Sequence, residues 1–491
     1  MPQLLAGSRR FLMTRLNENT HQLFDSATNR DGSFASRRKV ARLPSTTDAI
    51  YIVVSTTKGN DLQNPSRISD GNSVNRRRGV AAEELRRHNL SAVLDRLHHS
   101  GPLSRSELAE RTGLNRSTIR DLIGELVRLG LVEEGPGIAS TGPGRPSPVA
   151  RARPDGAVVL AIELTVDSVA ARTVGLGGKV YDEIRVARHR RPSSPKETIE
   201  HAASLAAPLL AALPSGHRLV GAGIAVAGVV RRSDAFVHLA PNLGWRDVPL
   251  GEIAAEELGI ERIMLANEAD LGALGEYRRG AGRGVGHLIY VAGEVGIGTG
   301  IIINGTPMLG SAGYAGEAGH NMINPAGHRC RCGSIGCWET EAGEEALARR
   351  AGLPEGLVGQ ALLDELVARA DRGDATTLEA LDEIGRWLGI GIGNLINSFN
   401  PELIVIGGFH SELYPYLEDA VKRGAEESAL DAPGRMARIL PCELGVNAPL
   451  VGAAELVLEE VIASPADYGT TPALPDGVLS SGGTVASPAK L

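Results

Sequence analysis

No run of about eighteen apolar residues occurs anywhere in this chain of 491 residues, so no membrane-spanning helix and no membrane partner are expected. The first residues also lack the apolar stretch of a secretory leader, since Arg9, Arg10 and Arg15 interrupt Met1 to Asn19. Cysteine is scarce. Three of the four lie between Cys330 and Cys337 and the fourth is Cys442, which leaves no series of spaced pairs for a disulfide framework. Such clustering suits metal ligation in a reducing, cytoplasmic setting. Positive charge is in overall deficit, with a net charge of −7, but the deficit is uneven. Between Val74 and Arg153 stand 14 Lys and Arg against 9 Asp and Glu, which leaves about −12 on the remainder. A basic module joined to an acidic body points to nucleic-acid contact at the front only.

Composition divides the chain further. Residues 1–79 are rich in Ser, Arg, Asn and Asp without a sustained helical period, and a disordered extension is expected there. Its one apolar run, Ala49 to Val54, has the length of a strand but no evident partner. Residues 464–491 are rich in Gly, Ser, Pro and Ala and read as a disordered tail. Between them, residues 80–153 form a helical and then Gly/Pro-rich block. Residues 154–463 alternate helical stretches with apolar runs such as Ala157–Ile162, Leu219–Val226, His287–Val291 and Leu403–Ile406, which implies an α/β body.

The first block has the logic of a DNA reader. Leu90, Val93, Leu94 and Leu97 make one apolar helical stripe, ended by Gly101 and Pro102. Ser104 with Glu107 three residues on predicts a capping box that opens a short second helix. Gly113 supplies the turn, and a third helix follows with Ile119, Leu122, Ile123 and Leu126 as its buried stripe. Its leading polar face makes Asn115, Arg116, Ser117, Thr118 and Arg120 the candidate DNA contacts, as in a recognition helix entering the major groove. Two glycine-rich segments, Gly135–Gly137 and Gly142–Pro146, then read as a β-wing with Arg145 at a tip slim enough for the minor groove.

The densest chemistry lies in Glu317-Ala-Gly-His320 and Cys330-Arg-Cys-Gly-Ser-Ile-Gly-Cys-Trp-Glu339. His320, Cys330, Cys332 and Cys337 offer one imidazole and three thiolates, a normal tetrahedral set for structural Zn2+. His328 is a rival ligand by proximity.

With these motifs the chain, over about residues 80–463, resembles the ROK family of repressors, open reading frames and sugar kinases, in its transcriptional-repressor branch. The resemblance implies a two-lobed actin/hexokinase-like ATPase fold behind a winged helix-turn-helix, with a sugar cleft between lobes. It further implies sugar contacts at Asn242, in Pro241-Asn-Leu-Gly-Trp245, at Asn267 and Glu268, in Asn267-Glu-Ala-Asp270, and at Glu317, His320 and Glu339. Amides and carboxylates suit vicinal hydroxyls, since they donate to or accept from neighbouring OH groups. Operator DNA, a sugar effector and a homodimer or homotetramer are the implied partners.

Two departures bear on catalysis. Active members carry Asp-x-Gly-Gly-Thr at the first strand turn, whereas this chain has Glu163-Leu-Thr-Val-Asp167, with no glycine to let backbone N–H groups approach phosphate. The family's catalytic Asp is Glu268 here, a degenerate base position displaced by about 1 Å. Gly296-Ile-Gly-Thr-Gly300 and Gly407-Gly408 still resemble the family's nucleotide-side loops. A sugar-binding regulator without kinase activity is the expectation; the alternative is an active ATP-dependent sugar kinase fused to a DNA-binding domain.

Overall fold

The computed structural model describes residues 71–136 and 148–468 apart from 192 and 355, and the side chains from residue 83 onward. The expected N-terminal extension up to residue 70, the Ala49–Val54 run, the wing tip with Arg145 and the tail beyond residue 468 lie outside the described residues, whereas the start of the tail read from residue 464 is ordered, with Pro465–Tyr468 helical and Tyr468 buried against Arg262.

Helix α1 (Gly71–Ser100) begins at Gly71, ahead of the module boundary near residue 80 read from composition. Propagating a helix from a packed segment is far cheaper than nucleating one, so the turns preceding the buried Leu90, Val93, Leu94 and Leu97 need no apolar face of their own. A short strand β1 (Leu103–Ser104), α2 (Arg105–Thr112) and α3 (Arg116–Arg128) follow. Ser104 Oγ accepts from Glu107 N and Glu107 Oε2 from Ser104 N, so the capping box is formed. Gly113 stops α2 in the left-handed region at φ 71°. Strands β2 (Val132–Gly135) and β3 (Val149–Ala152) pair antiparallel as the wing's base, and β1 joins β3 on its other edge.

The body has two lobes. The first is built on a five-stranded sheet from β4 (Val158–Leu164), β5 (Ser168–Gly175), β6 (Lys179–Ala187), β7 (Leu219–Val226) and β11 (Ile263–Asn267), in the order β11-β7-β4-β5-β6. Strands β8 (Val229–Arg231), β9 (Phe236–Ala240) and β10 (Trp245–Val248) form a small sheet beside it, with α4 (Pro195–Ala211) and α5 (Leu250–Leu258). Alternation of strands and helices describes β4, β7 and β11, which run parallel, but not β4–β5–β6, an antiparallel meander. Their connections, Thr165–Asp167 and Leu176–Gly178, are far too short for a crossover helix.

The second lobe opens with α6 (Glu268–Arg279). Its sheet comprises β12 (Leu288–Gly293), β13 (Ile297–Ile303), β14 (Thr306–Pro307), β15 (Leu403–Gly408) and β16 (Arg438–Pro441), ordered β14-β13-β12-β15-β16. Helices α7 (Trp338–Ala342), α8 (Glu344–Arg350), α9 (Gly359–Asp371), α10 (Ala375–Phe399), α11 (Phe409–Ser428) and α12 (Asp431–Met436) complete it, whereas α13 (Ala448–Ala463) returns to pack on β4 and β7 of the first lobe. Among the described residues no helix is long and apolar enough to cross a membrane.

Candidate functional site

The segment from Glu317 to Glu339 folds back on itself through bridges Met322–Cys337 and Arg329–Ile335. Gly336 must be glycine: it has φ 71°, and a Cβ there would lie 1.6 Å from the Asn324 carbonyl oxygen. The fold brings His320, Cys330, Cys332 and Cys337 together, with their ligand atoms within 4.8 Å of one another. Cys330 Sγ lies 3.6 Å from His320 Nδ1, and Cys332 Sγ 3.7 Å from Cys337 Sγ. Tetrahedral zinc with Zn–S near 2.3 Å and Zn–N near 2.0 Å separates its donor atoms by roughly 3.5–3.8 Å, so the donor set fits the ion. The Ser334 backbone N–H lowers the Cys332 thiol to about 7, whereas burial raises the Cys330 and Cys337 thiols. His328 is not in the cluster; its backbone carbonyl accepts from Gly336 N.

The polar residues assigned to sugar by resemblance are spread over adjoining cavities. Glu339 borders the thiolates, its Oε1 2.9 Å from Cys330 Sγ and 3.4 Å from His320 Nδ1. With Asn242, Gly296 and Arg331 it lines one small cavity, where Asn242 Oδ1 accepts from Arg331 at 3.4 Å. Asn267 and Glu317 line a second, with Asp270, Thr299 and Gly228. Asn267 already has structural work: its Oδ1 caps α6 by accepting from Ala269 N, and its Nδ2 donates to Gly228 O. Burial pushes the Glu317 carboxyl up, opposed by His320. Asp270 and Arg232 were not singled out as site residues from sequence. Asp270 stands one helical turn from Asn267, and burial pushes it up to about 6 although Arg232 pairs with it at 3.1 Å. Asp270 was legible by its spacing; nothing local marked Arg232, 38 residues away.

Glu268 faces a third and larger cleft between the lobes, of about 470 Å³, whose carboxylate wall also includes Glu163 and Glu294. Glu268 Oε2 is buried without a hydrogen-bond partner. Burial pushes Glu268 well up and Glu294 up to about 8, with neighbouring carboxylates adding to both. The first strand turn is closed on itself, since Thr165 Oγ1 accepts from Asp167 N at 3.2 Å and from Ser168 N at 3.0 Å. Asp167 is paired with Arg190, which also grips Glu344 on α8 of the other lobe. Gly300 of the second loop has a packing reason: a Cβ there would lie 2.2 Å from Ala269 O. Gly408 likewise has φ 59° and would strike Gly293 O.

At the front, α3 presents Arg116, Ser117 and Arg120 outward, while Ile119, Leu122, Ile123 and Leu126 are buried. Asn115 is the N-cap, its Oδ1 accepting from Thr118 N at 2.9 Å and from Ser117 Oγ at 2.6 Å. Arg120 pairs with its neighbour Asp121 at 3.1 Å.

The sequence profile of the ROK family matches residues 159–460, and that of the IclR helix-turn-helix domain matches residues 89–136. The chain belongs to the ROK family. Within the ROK family it is 31% identical to the xylose repressor of Bacillus spizizenii over 379 residues, 77% of this chain and 97% of that one. Among solved structures, a ROK family transcriptional regulator homologous to the Escherichia coli MLC protein superposes with a TM-score of 0.66 at 24% identity, covering 78% of this chain and 99% of its own. A ROK glucokinase from Streptomyces griseus, solved with glucose and AMPPNP, gives 0.52 at 29% identity over 61% of this chain and 98% of its own. The ROK chain thus has the two-lobed actin/hexokinase-like body behind a helix-turn-helix module, in the repressor branch.

Proposed function

We propose that this ROK protein is a sugar-responsive transcriptional repressor whose kinase-like body binds a sugar without phosphorylating it. The observation that carries the loss of catalysis is the first strand turn. Phosphoryl transfer depends on backbone and cationic groups positioned around phosphate. Here the turn's N–H groups are spent on Thr165 Oγ1, and the Arg190 guanidinium is held by two carboxylates.

Residues 80–153 are the DNA-binding domain and 154–463 the effector domain in this reading. Arg116, Ser117, Thr118 and Arg120 face the operator, with Asn115 shaping the helix start and Arg145 in the wing. Asn242, Asn267, Glu317, His320 and Glu339 take the sugar, and Glu268 borders it from the larger cleft. Zn2+ on His320, Cys330, Cys332 and Cys337 would supply folding free energy to the loop that positions Glu317 and Glu339. The relative's name makes D-xylose the first effector to test. A homodimer or homotetramer would read two half-sites.

The test uses a duplex that the protein selects from a random pool. Its affinity should change about 5–150-fold with saturating effector, the range of typical site–site coupling. Glu317→Ala and Glu339→Ala should bind that duplex normally and lose the response. Sugar-dependent ATP consumption by the purified protein would instead support the kinase reading, which the glucokinase likeness keeps in view.

A further inference from the structure

The sugar cavity and the DNA-binding helix are joined by one helix. Asn267 caps the start of α6 at the cavity, and Arg278 and Arg279 end it. Twelve residues make this a rod of about 18 Å. At its far end Arg279 Nε donates to Glu455 Oε1 at 2.7 Å, and Nη1 donates to the carbonyl of His98, on α1 of the DNA-binding module, at 3.2 Å. His98 is fully buried there. Gly177 N donates to its Nδ1 at 2.9 Å, and its Nε2 lies 3.0 Å from Glu455 Oε2 and against the Arg279 guanidinium. Arg278 binds Glu459 Nε to Oε1 at 2.7 Å.

Both acidic partners stand on α13, which meets α6 backbone to backbone. A Cβ on Gly452 would lie 1.8 Å from Leu271 O, and one on Gly275 2.4 Å from Ala448 O. Backbone meets backbone at two points along the pair, with no side chain between to yield. His98, His99 and Glu455 also have metal-ligand character. The Arg279 guanidinium against His98 Nε2 opposes a cation there, so the cluster is a joint, not a metal centre.

We propose that α6 is a lever working against α13, which sits backbone to backbone on β7 at Gly223, and that Arg279, Glu455 and His98 are positioning residues that pass the state of the sugar cavity to α1. Tilting α6 at Asn267 moves Arg279, and α1 follows because its buried His98 has no other seat. The lever's purpose rests on the repressor reading above; its mechanics do not.

Hydrogen exchange on the full chain tests the mechanics without sugar or DNA. Asn267→Ala should accelerate exchange in α1 between Leu90 and Ser100 at least threefold. In an Arg279→Gln background the same substitution should change it less than 1.5-fold. Glu455→Gln, which preserves size, serves if Arg279→Gln fails to fold. No effect of Asn267→Ala on α1, or an equal effect in both backgrounds, would overturn the lever. A second arm measures the pool-selected duplex with and without D-xylose or D-glucose. The Arg279→Gln chain should keep the wild-type sugar affinity by calorimetry and lose the change in duplex affinity; an undiminished change would again overturn the lever. A wild-type chain that selects no duplex from the pool while the exchange result holds would sink the repressor reading and leave the lever standing.

Discussion

The Arg190 guanidinium spans the cleft between lobes, reaching Glu344 Oε2 at 2.6 Å while its Nε holds Asp167 Oδ1 at 2.7 Å. Two carboxylates from different lobes share one planar fork, a geometry that lysine cannot reproduce. Arg190→Met should lower stability by ~1–3 kcal/mol, the scale of hydrogen bonds to charged groups, and Arg190→Lys should recover little of it. Urea unfolding of the three chains measures this. Wild-type stability in Arg190→Met would show the clamp to be energetically idle.

On the DNA side, Arg116→Ala and Arg120→Ala should each weaken binding to the selected duplex by ~1–3 kcal/mol and leave sugar affinity unchanged. The exposed pair of Arg120 with Asp121 costs little to break, so it does not prevent Arg120 from turning to a base. Arg145→Ala should weaken binding on the same scale. Titration of labelled duplex by each variant checks the assignment, and undiminished affinity in all three would remove it.

For the metal, Cys330→Ser should lose bound zinc and His328→Ala should retain it, because the structure gathers His320 and not His328 with the thiolates. Elemental analysis of protein purified without chelator reads both. Zinc-free wild-type protein, or loss of zinc in His328→Ala alone, would contradict the ligand set.

The pH dependence of stability follows from Glu294. Burial, with the Glu163 carboxylate second, raises it to about 8, whereas an unfolded glutamate titrates near ~4.3. Between those values the folded chain binds the extra proton, so this group's contribution to stability falls as pH rises toward 8. Glu294→Gln stays neutral throughout. Its thermal midpoint should fall less between pH 6 and pH 8.5 and should exceed the wild-type value at the upper pH by about 2–4 °C. Parallel melting curves for the two chains would show the assignment to be wrong.

Local spacing determined much of this protein. The buried stripe from Leu90 to Leu97, the Ser104–Glu107 capping box and the left-handed Gly113 are relations within one or two helical turns, which backbone geometry settles wherever the segment folds. Three cysteines within eight positions similarly bring their thiols close through a short glycine-bearing loop. Only the tertiary structure decided that Gly300 makes room for Ala269 O, that β4–β6 form a meander, and that Arg232 meets Asp270. It alone placed Arg190 against Glu344, 154 residues away, and Arg279 against His98, 181 residues away. Those pairings carry no signature in spacing, because they depend on which faces meet when helices and sheets pack, and a charged residue reads as an ordinary solvated side chain until its distant partner arrives.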